Sequence, residues 1–296
     1  MKYIQHCLKT LTTATAAIVM VGMPLVSKEA RATSTMPPTP EVAPVQIYVP
    51  PPERRTDGIC PDLLAPALNS IVESPAFARG RWGVLVEDMS SNQTLYSRSA
   101  NTLFIPASNV KLLTTAAALQ RFDTLSVIGS TSLGNWIRIT NLDSNNGYAD
   151  GLLQRLGGPR AVRESLTLLG VDPNSYRQVD GSGLSRQNQA SPTAFISTLK
   201  AMRSAQGSDV FYGSLPVAGV NGTLRNRFRN TPAQGVVHAK TGTLSGVRAL
   251  SGYVDNRDYG TLAFSIMANQ SDQPGEALVG AIDRVVLQLT RLTRCN

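Results

Sequence analysis

Histidine is almost missing from this chain of 296 residues, which carries two, His6 and His238. A serine–imidazole–carboxylate arrangement therefore has one candidate imidazole away from the extreme N-terminus. No acidic residue is evidently paired with it, so His238 is expected to be structural. Cysteine is nearly as scarce, at Cys7, Cys60 and Cys295, and no Cys/His cluster has metal-ligand spacing. Aromatic residues make up 6% of the chain, and no basic stripe is interleaved with them, which argues against a nucleic-acid surface. There is no glycine-rich phosphate loop. Neither a metal nor a cofactor is expected. The apolar run at 11–26 spans 16 residues, short of the ~20 that cross a bilayer.

That run does fit another use. Lys2 and Lys9 precede it, and Ala30-Arg31-Ala32 follows as a small-x-small cleavage site, so residues 1–32 are expected to be a secretory signal peptide. An uncleaved anchor is the alternative. Residues 33–58 hold Pro37, Pro38, Pro40, Pro44, Pro50, Pro51 and Pro52, a composition that extends rather than packs, and are expected to be a tether. The folded domain is expected over 59–296, in a periplasmic or secreted protein. The formal charge is +8, of which residues 1–32 carry +3, leaving about +5 beyond them. Mild basicity suits an anionic envelope polymer or peripheral association with a membrane surface. Cys7 would leave with the leader. In an oxidising compartment Cys60 and Cys295 are expected to pair and to tie the two ends together, two free thiols being the alternative.

Periodicity places helices at 61–73, 110–119, 160–169 and 192–203, and an apolar stripe at Leu152, Leu153 and Leu156 that ends at Gly157-Gly158-Pro159. Residues 82–89 and 94–97 read as a hairpin around the turn 90–93. The polar stretch 123–150 shows only a short strand pattern at 136–139. Residues 180–186 read as a turn-rich loop. Three closely spaced strands, 236–243, 247–255 and 261–269, form an antiparallel meander, followed by a helix with Leu278, Ile282, Val285, Val286, Leu289 and Leu292 on one face. The fold class is α+β: an antiparallel sheet built from both ends of the chain, flanked by helices, plus a helical lobe.

Three short motifs occur in order: Ser108-Asn109-Val110-Lys111, Ser144-Asn145-Asn146 and Lys240-Thr241-Gly242-Thr243. They read S-x-x-K, S-x-N and K-T-G. S-x-x-K also occurs at Ser197–Lys200 and S-x-N at Ser90 and Ser99, but only Ser144 lies between an S-x-x-K and the single K-T-G. Pro106 places Ser108 at the start of an Ala-rich helix, whereas Lys200 closes what reads as an ordinary surface helix. Serine is a poor nucleophile without an adjacent base, and residues three apart share a helix face, so Lys111 reaches Ser108. A lysine acts as base only when burial or nearby positive charge lowers its pKa, and Lys240 is the candidate for that charge. A main-chain N–H at a helix start faces developing negative charge.

These motifs, with 104–108, 180–188, 215–224 and 239–247, resemble the D-Ala-D-Ala carboxypeptidase/endopeptidase family, the low-molecular-mass class C penicillin-binding proteins, from about residue 82 to 292. The resemblance implies a DD-peptidase/β-lactamase-like fold. It further implies that Ser108 forms the acyl-enzyme, Lys111 takes its proton and Ser144 relays a proton to the leaving amine. Asn146 would hold the substrate amide, and Lys240, Thr241, Gly242 and Thr243 would form the strand that binds the terminal carboxylate. The N–H groups of Ser108 and Thr243 would complete an oxyanion hole. Peptidoglycan stem peptides and β-lactam antibiotics are the implied partners.

The family normally carries large inserted domains between S-x-x-K and S-x-N, whereas 36 residues separate Ser108 from Ser144 here. A serine β-lactamase is the alternative function, but it needs a base for the deacylating water. Asp180 lacks the expected motif around it, and Glu164 falls on a predicted helix as a surface residue. A non-catalytic peptidoglycan-binding module is the third reading, motivated by the short central region.

Overall fold

The order of strands in the main sheet explains how residues far apart in sequence meet. The computed structural model describes residues 58–295. The expected signal peptide and nearly all of the expected tether lie outside the described residues. Strands β1 (Arg81–Asp88) and β2 (Thr94–Arg98) form the first hairpin. Two short ribbons follow, β3 (Val127–Ile128) with β4 (Thr131–Ser132), and β5 (Tyr176–Arg177) with β6 (Gln189–Ala190). The meander is β7 (Val237–Leu244), β8 (Val247–Asn256) and β9 (Gly260–Asn269). The sheet runs β2-β1-β9-β8-β7, so the two ends of the domain pair through β1 and β9 and leave β7 on an edge.

The pleat sorts apolar side chains onto two faces. Val84, Val86, Leu250, Val254, Leu262 and Phe264 join one core; Leu85, Ala249, Tyr253, Ala263 and Met267 join the other. The first core is covered by α1 (Pro61–Val72) and α8 (Gly275–Arg291). The second holds α2 (Val110–Arg121), α3 (Leu133–Leu142), α4 (Asn146–Leu156), α5 (Pro159–Leu168), α6 (Pro192–Ala201) and α7 (Ser208–Gly213). Each large apolar side chain buried in these layers is worth about 1.5–3 kcal/mol.

Helix α2 is buried from Val110 to Leu119 and packs against α3, α4, α5 and α6. Its alanines let those neighbours approach on every side. Cys60 and Cys295 are joined by a disulfide, and the main chain at Ile59 bridges to Leu292 beside it.

Two expectations fail. The strand pattern at 136–139 lies inside α3: Ser132 caps the helix by accepting from Asn135 N, and Leu133, Ile137, Thr140 and Asn141 are buried at helical spacing. The second S-x-x-K helix, α6, is not a surface helix, because Ala194, Phe195, Ile196, Thr198 and Leu199 are buried against the sheet. Its Lys200 pairs with Glu87 at 2.7 Å.

Candidate active site

The chain enters α2 through a 3-10 turn, Ala107–Asn109, and Ser108 sits in that turn rather than in the α-helix proper. Ala107 has φ +48°, a conformation that costs a residue with a Cβ about 1–2 kcal/mol. Contacts on two sides hold it. Asn109 Nδ2 donates to Ser251 Oγ at 2.7 Å, and Ser251 donates to Ser265 Oγ at 2.8 Å, pinning the turn to the sheet. On the other side Gly183 lies so close that a Cβ there would fall 2.0 Å from the Ala107 carbonyl oxygen.

One turn on, Lys111 is fully buried. Its Nζ lies 2.9 Å from Ser108 Oγ, 2.8 Å from Asn146 Oδ1 and 2.5 Å from the Ser182 carbonyl oxygen. Burial lowers its pKa from 10.5 to about 8, against the opposing pull of Asp150 and Asp180. Ser144 occupies the turn between α3 and α4 at φ +57°, and Asn145 caps α4 by accepting from Tyr148 N. That turn aims Ser144 at β7 and Asn146 at Lys111.

Lys240 on β7 is also fully buried; its Nζ donates to Ser144 Oγ at 2.8 Å and to the Thr241 carbonyl at 3.0 Å. Burial first, then repulsion from Lys111, holds its pKa well below the usual lysine value. Gly242 permits β7 to pass the serine turn: a Cβ would sit 2.6 Å from the Pro106 carbonyl oxygen and 3.0 Å from Ala249 Cβ. Thr241 Oγ1 donates to Thr223 Oγ1 at 2.8 Å.

Ser108, Ser144, Asn146, Thr241, Gly242 and Thr243 thus line one open cleft of about 420 Å³. The structure brings all eight motif residues together, six on the cleft wall and the two lysines behind it. Other groups share the site without having been singled out from the sequence: Thr223, the Ser182 carbonyl, and Arg248, which stands opposite Thr243 in the β7–β8 register. A main-chain carbonyl has no residue signature, although the loop that bears Ser182 lies in one of the stretches that carried the resemblance.

His238 is remote from this chemistry in its contacts: its ring stacks on Tyr212 at 4.5 Å. Glu164 is exposed and pairs with Arg121 and Arg160. Asp180 is fully engaged, accepting from Gly183 N and Asn188 Nδ2 on Oδ1 and from Ser185 N on Oδ2. Neither carboxylate is placed to activate a water in the cleft. Among the described residues no group of three His, Cys, Asp or Glu side chains forms a metal site.

The fold is that of penicillin-binding proteins and class A β-lactamases. Penicillin binding protein 4 (dacB) from Haemophilus influenzae superposes with a TM-score of 0.65 at 14% identity, over 75% of this chain and 99% of that one. A β-lactamase from Chitinophaga pinensis DSM 2588 also gives 0.65, at 22% identity over 75% and 96% of the two chains. At these identities the likeness is one of fold.

Sequence narrows the class. The family model for D-Ala-D-Ala carboxypeptidase 3 (S13) matches residues 64–126 and 123–289, and the chain belongs to that family. The D-alanyl-D-alanine carboxypeptidase of Actinomadura sp. (strain R39) is 44% identical over 152 residues, 46% of this chain and 28% of the relative. Penicillin-sensitive carboxypeptidase A of Dictyostelium discoideum is 34% identical over 181 residues, 55% of this chain and 35% of the relative. The chain spans about a third of the length of these relatives.

Proposed function

We propose that the protein is an exported serine D-Ala-D-Ala carboxypeptidase/endopeptidase that cleaves peptidoglycan stem peptides through an acyl-enzyme on Ser108, and that β-lactams acylate the same serine. One observation carries this reading: the three partners of Lys111. A neutral lysine has two N–H bonds and one lone pair. Asn146 Oδ1 and the Ser182 carbonyl oxygen accept, so they take both N–H bonds. The lone pair is then left facing Ser108 Oγ, 2.9 Å away. Burial keeps the neutral form accessible near neutral pH.

Lys111 takes the Ser108 proton as Oγ attacks the carbonyl carbon of the penultimate D-Ala. Charge develops on the carbonyl oxygen, opposite the N–H groups of Ser108 and Thr243. As the C–N bond breaks, Ser144 hands its proton to the departing amine and is reprotonated from the lysine side. Water then attacks the ester, giving its proton to Lys111, which returns one to Ser108 Oγ as the acid leaves. Lys240 beneath the cleft, with Thr241 and Thr243 on its wall, supplies charge and hydroxyls for the terminal carboxylate of the substrate. Release of D-Ala from a stem peptide ending in D-Ala-D-Ala tests the proposal, with Ser108→Ala expected to abolish it. Wild-type inactivity with retained sacculus binding would favour the binding-module reading instead.

The β-lactamase reading has the fold behind it, but neither carboxylate weighed as its second base, Asp180 or Glu164, faces the cleft. With Asp180 occupied by its own loop and Glu164 on the surface, deacylation after penicillin is expected to be slow, which is the behaviour of a drug target.

A further inference from the structure

We infer that Asp180 is a positioning residue for the Ser108–Lys111 pair, acting through the peptide group between Ser182 and Gly183. The N–H of that peptide, on Gly183, donates to Asp180 Oδ1 at 2.6 Å. Its carbonyl, on Ser182, accepts from Lys111 Nζ at 2.5 Å and lies 3.3 Å from Ser108 Oγ. A carboxylate on the N–H end polarises the amide and makes the carbonyl a stronger acceptor. The two active-site side chains therefore face a carbonyl that is charged up from behind.

The surroundings are built to hold this one peptide. Asn188 Nδ2 and Ser185 N fix the Asp180 carboxylate at 2.8 and 2.6 Å. Gly183, at φ +85°, puts the loop backbone directly on Ala107 and Ser108, with no room for a side chain. Gln178 Nε2 ties α2 to the loop, donating to Thr114 Oγ1 at 2.7 Å and to the Asp180 carbonyl at 3.1 Å. From α4, Asp150 Oδ1 accepts the N–H groups of Gly181 and Ser182 at 2.8 and 2.9 Å.

The charged groups that act on Lys111 are Asp180 from the loop, Asp150 from α4 and Lys240 from β7. Both carboxylates favour its protonated form. Removing either therefore moves deprotonation of Lys111 to lower pH, while losing the Asp180 hydrogen bond also loosens the carbonyl that orients the amine. Rate and pH profile should change together, which a purely structural role does not produce.

This inference rests on acylation of Ser108, and the experiment separates the two. Second-order acylation of the full chain by a fluorescent penicillin is measured from about pH 6 to about pH 10 for wild type, Asp180→Asn and Asp150→Asn, with melting curves for each. Asp180→Asn is expected to lower the plateau rate about tenfold or more and to shift the acid limb to lower pH. Asp150→Asn should shift the limb in the same direction with a smaller loss of rate. If Asp180→Asn does not fold, Asp150→Asn decides, and an unshifted limb overturns the inference. A folded Asp180→Asn whose profile matches wild type, or which is slower at an unchanged midpoint, overturns it too. A wild type that is never acylated overturns the functional reading beneath it.

Discussion

Lys240 Nζ donates to Ser144 Oγ across 2.8 Å, joining an edge strand of the sheet to the turn between α3 and α4. The two residues lie 96 positions apart, and among the described residues the other acceptor for Lys240 is the carbonyl next to it. Ser144→Ala should therefore lower stability by about 1–3 kcal/mol, the range for a buried donor losing its partner. On the role proposed for Ser144, acylation should fall by about 10²–10⁴-fold with loss of the proton relay. Thermal melting alongside stopped-flow acylation checks both.

Lys111 makes stability and activity depend on pH in linked ways. Its pKa is about 8 in the folded chain, against 10.5 ordinarily. The unfolded chain therefore holds more protons between those values, and stability rises with pH through that window. At neutral pH the buried lysine costs up to roughly 3 kcal/mol. Lys111→Met is expected to melt higher than wild type near pH 7, to lose the rise in stability above about pH 8, and to show no acylation. Denaturant titrations at several pH values test the sign.

Gly242→Ala probes how tightly β7 passes the Ser108 turn. The new Cβ would meet the Pro106 carbonyl at 2.6 Å, with Asn109 Oδ1 at 3.3 Å, so the strand and the turn must part. A shift near 1 Å costs about 10²-fold in rate. The variant should fold and bind penicillin, yet acylate about a hundredfold more slowly.

The Cys60–Cys295 bridge spans a sequence separation of 235. Closing so long a loop in the unfolded chain is worth about 2–5 kcal/mol. Reduction, or a Cys60→Ser and Cys295→Ser double variant, should lower the melting temperature while leaving acylation near wild type, since the bridge joins α1 to the end of α8.

The parts legible in the sequence were those governed by local rules. Closely spaced apolar runs at 247–255 and 261–269, joined by a short turn, gave β8 and β9 to within a residue. Glycines at 157 and 158 marked the end of α4, where Gly157 adopts φ +95°. The order of the three motifs singled out residues that the fold collects in one cleft. What escaped was set by tertiary packing. Trp136, Ile137 and Ile139 carry high strand propensity, and it was burial of Leu133, Ile137, Thr140 and Asn141 on one side that made the segment helical. The helix α6 looked like a surface element because Ser197 and Lys200 are polar, although Phe195, Ile196 and Leu199 press on the sheet. The Ser182 carbonyl and the carboxylate behind it belong to the backbone conformation of 180–188, which a residue pattern marks as a turn without showing what the turn touches.

The central claim is that Ser108 becomes acylated with Lys111 as its base. Intact-mass analysis of residues 33–296 after brief exposure to benzylpenicillin, beside Ser108→Ala and Lys111→Met, tests it most directly. The account predicts one stable adduct on wild type, mapped to Ser108 and persisting as free drug is removed, and none on either variant. A folded wild-type protein that acquires no adduct and hydrolyses no drug, or an adduct that survives in Ser108→Ala, would contradict it.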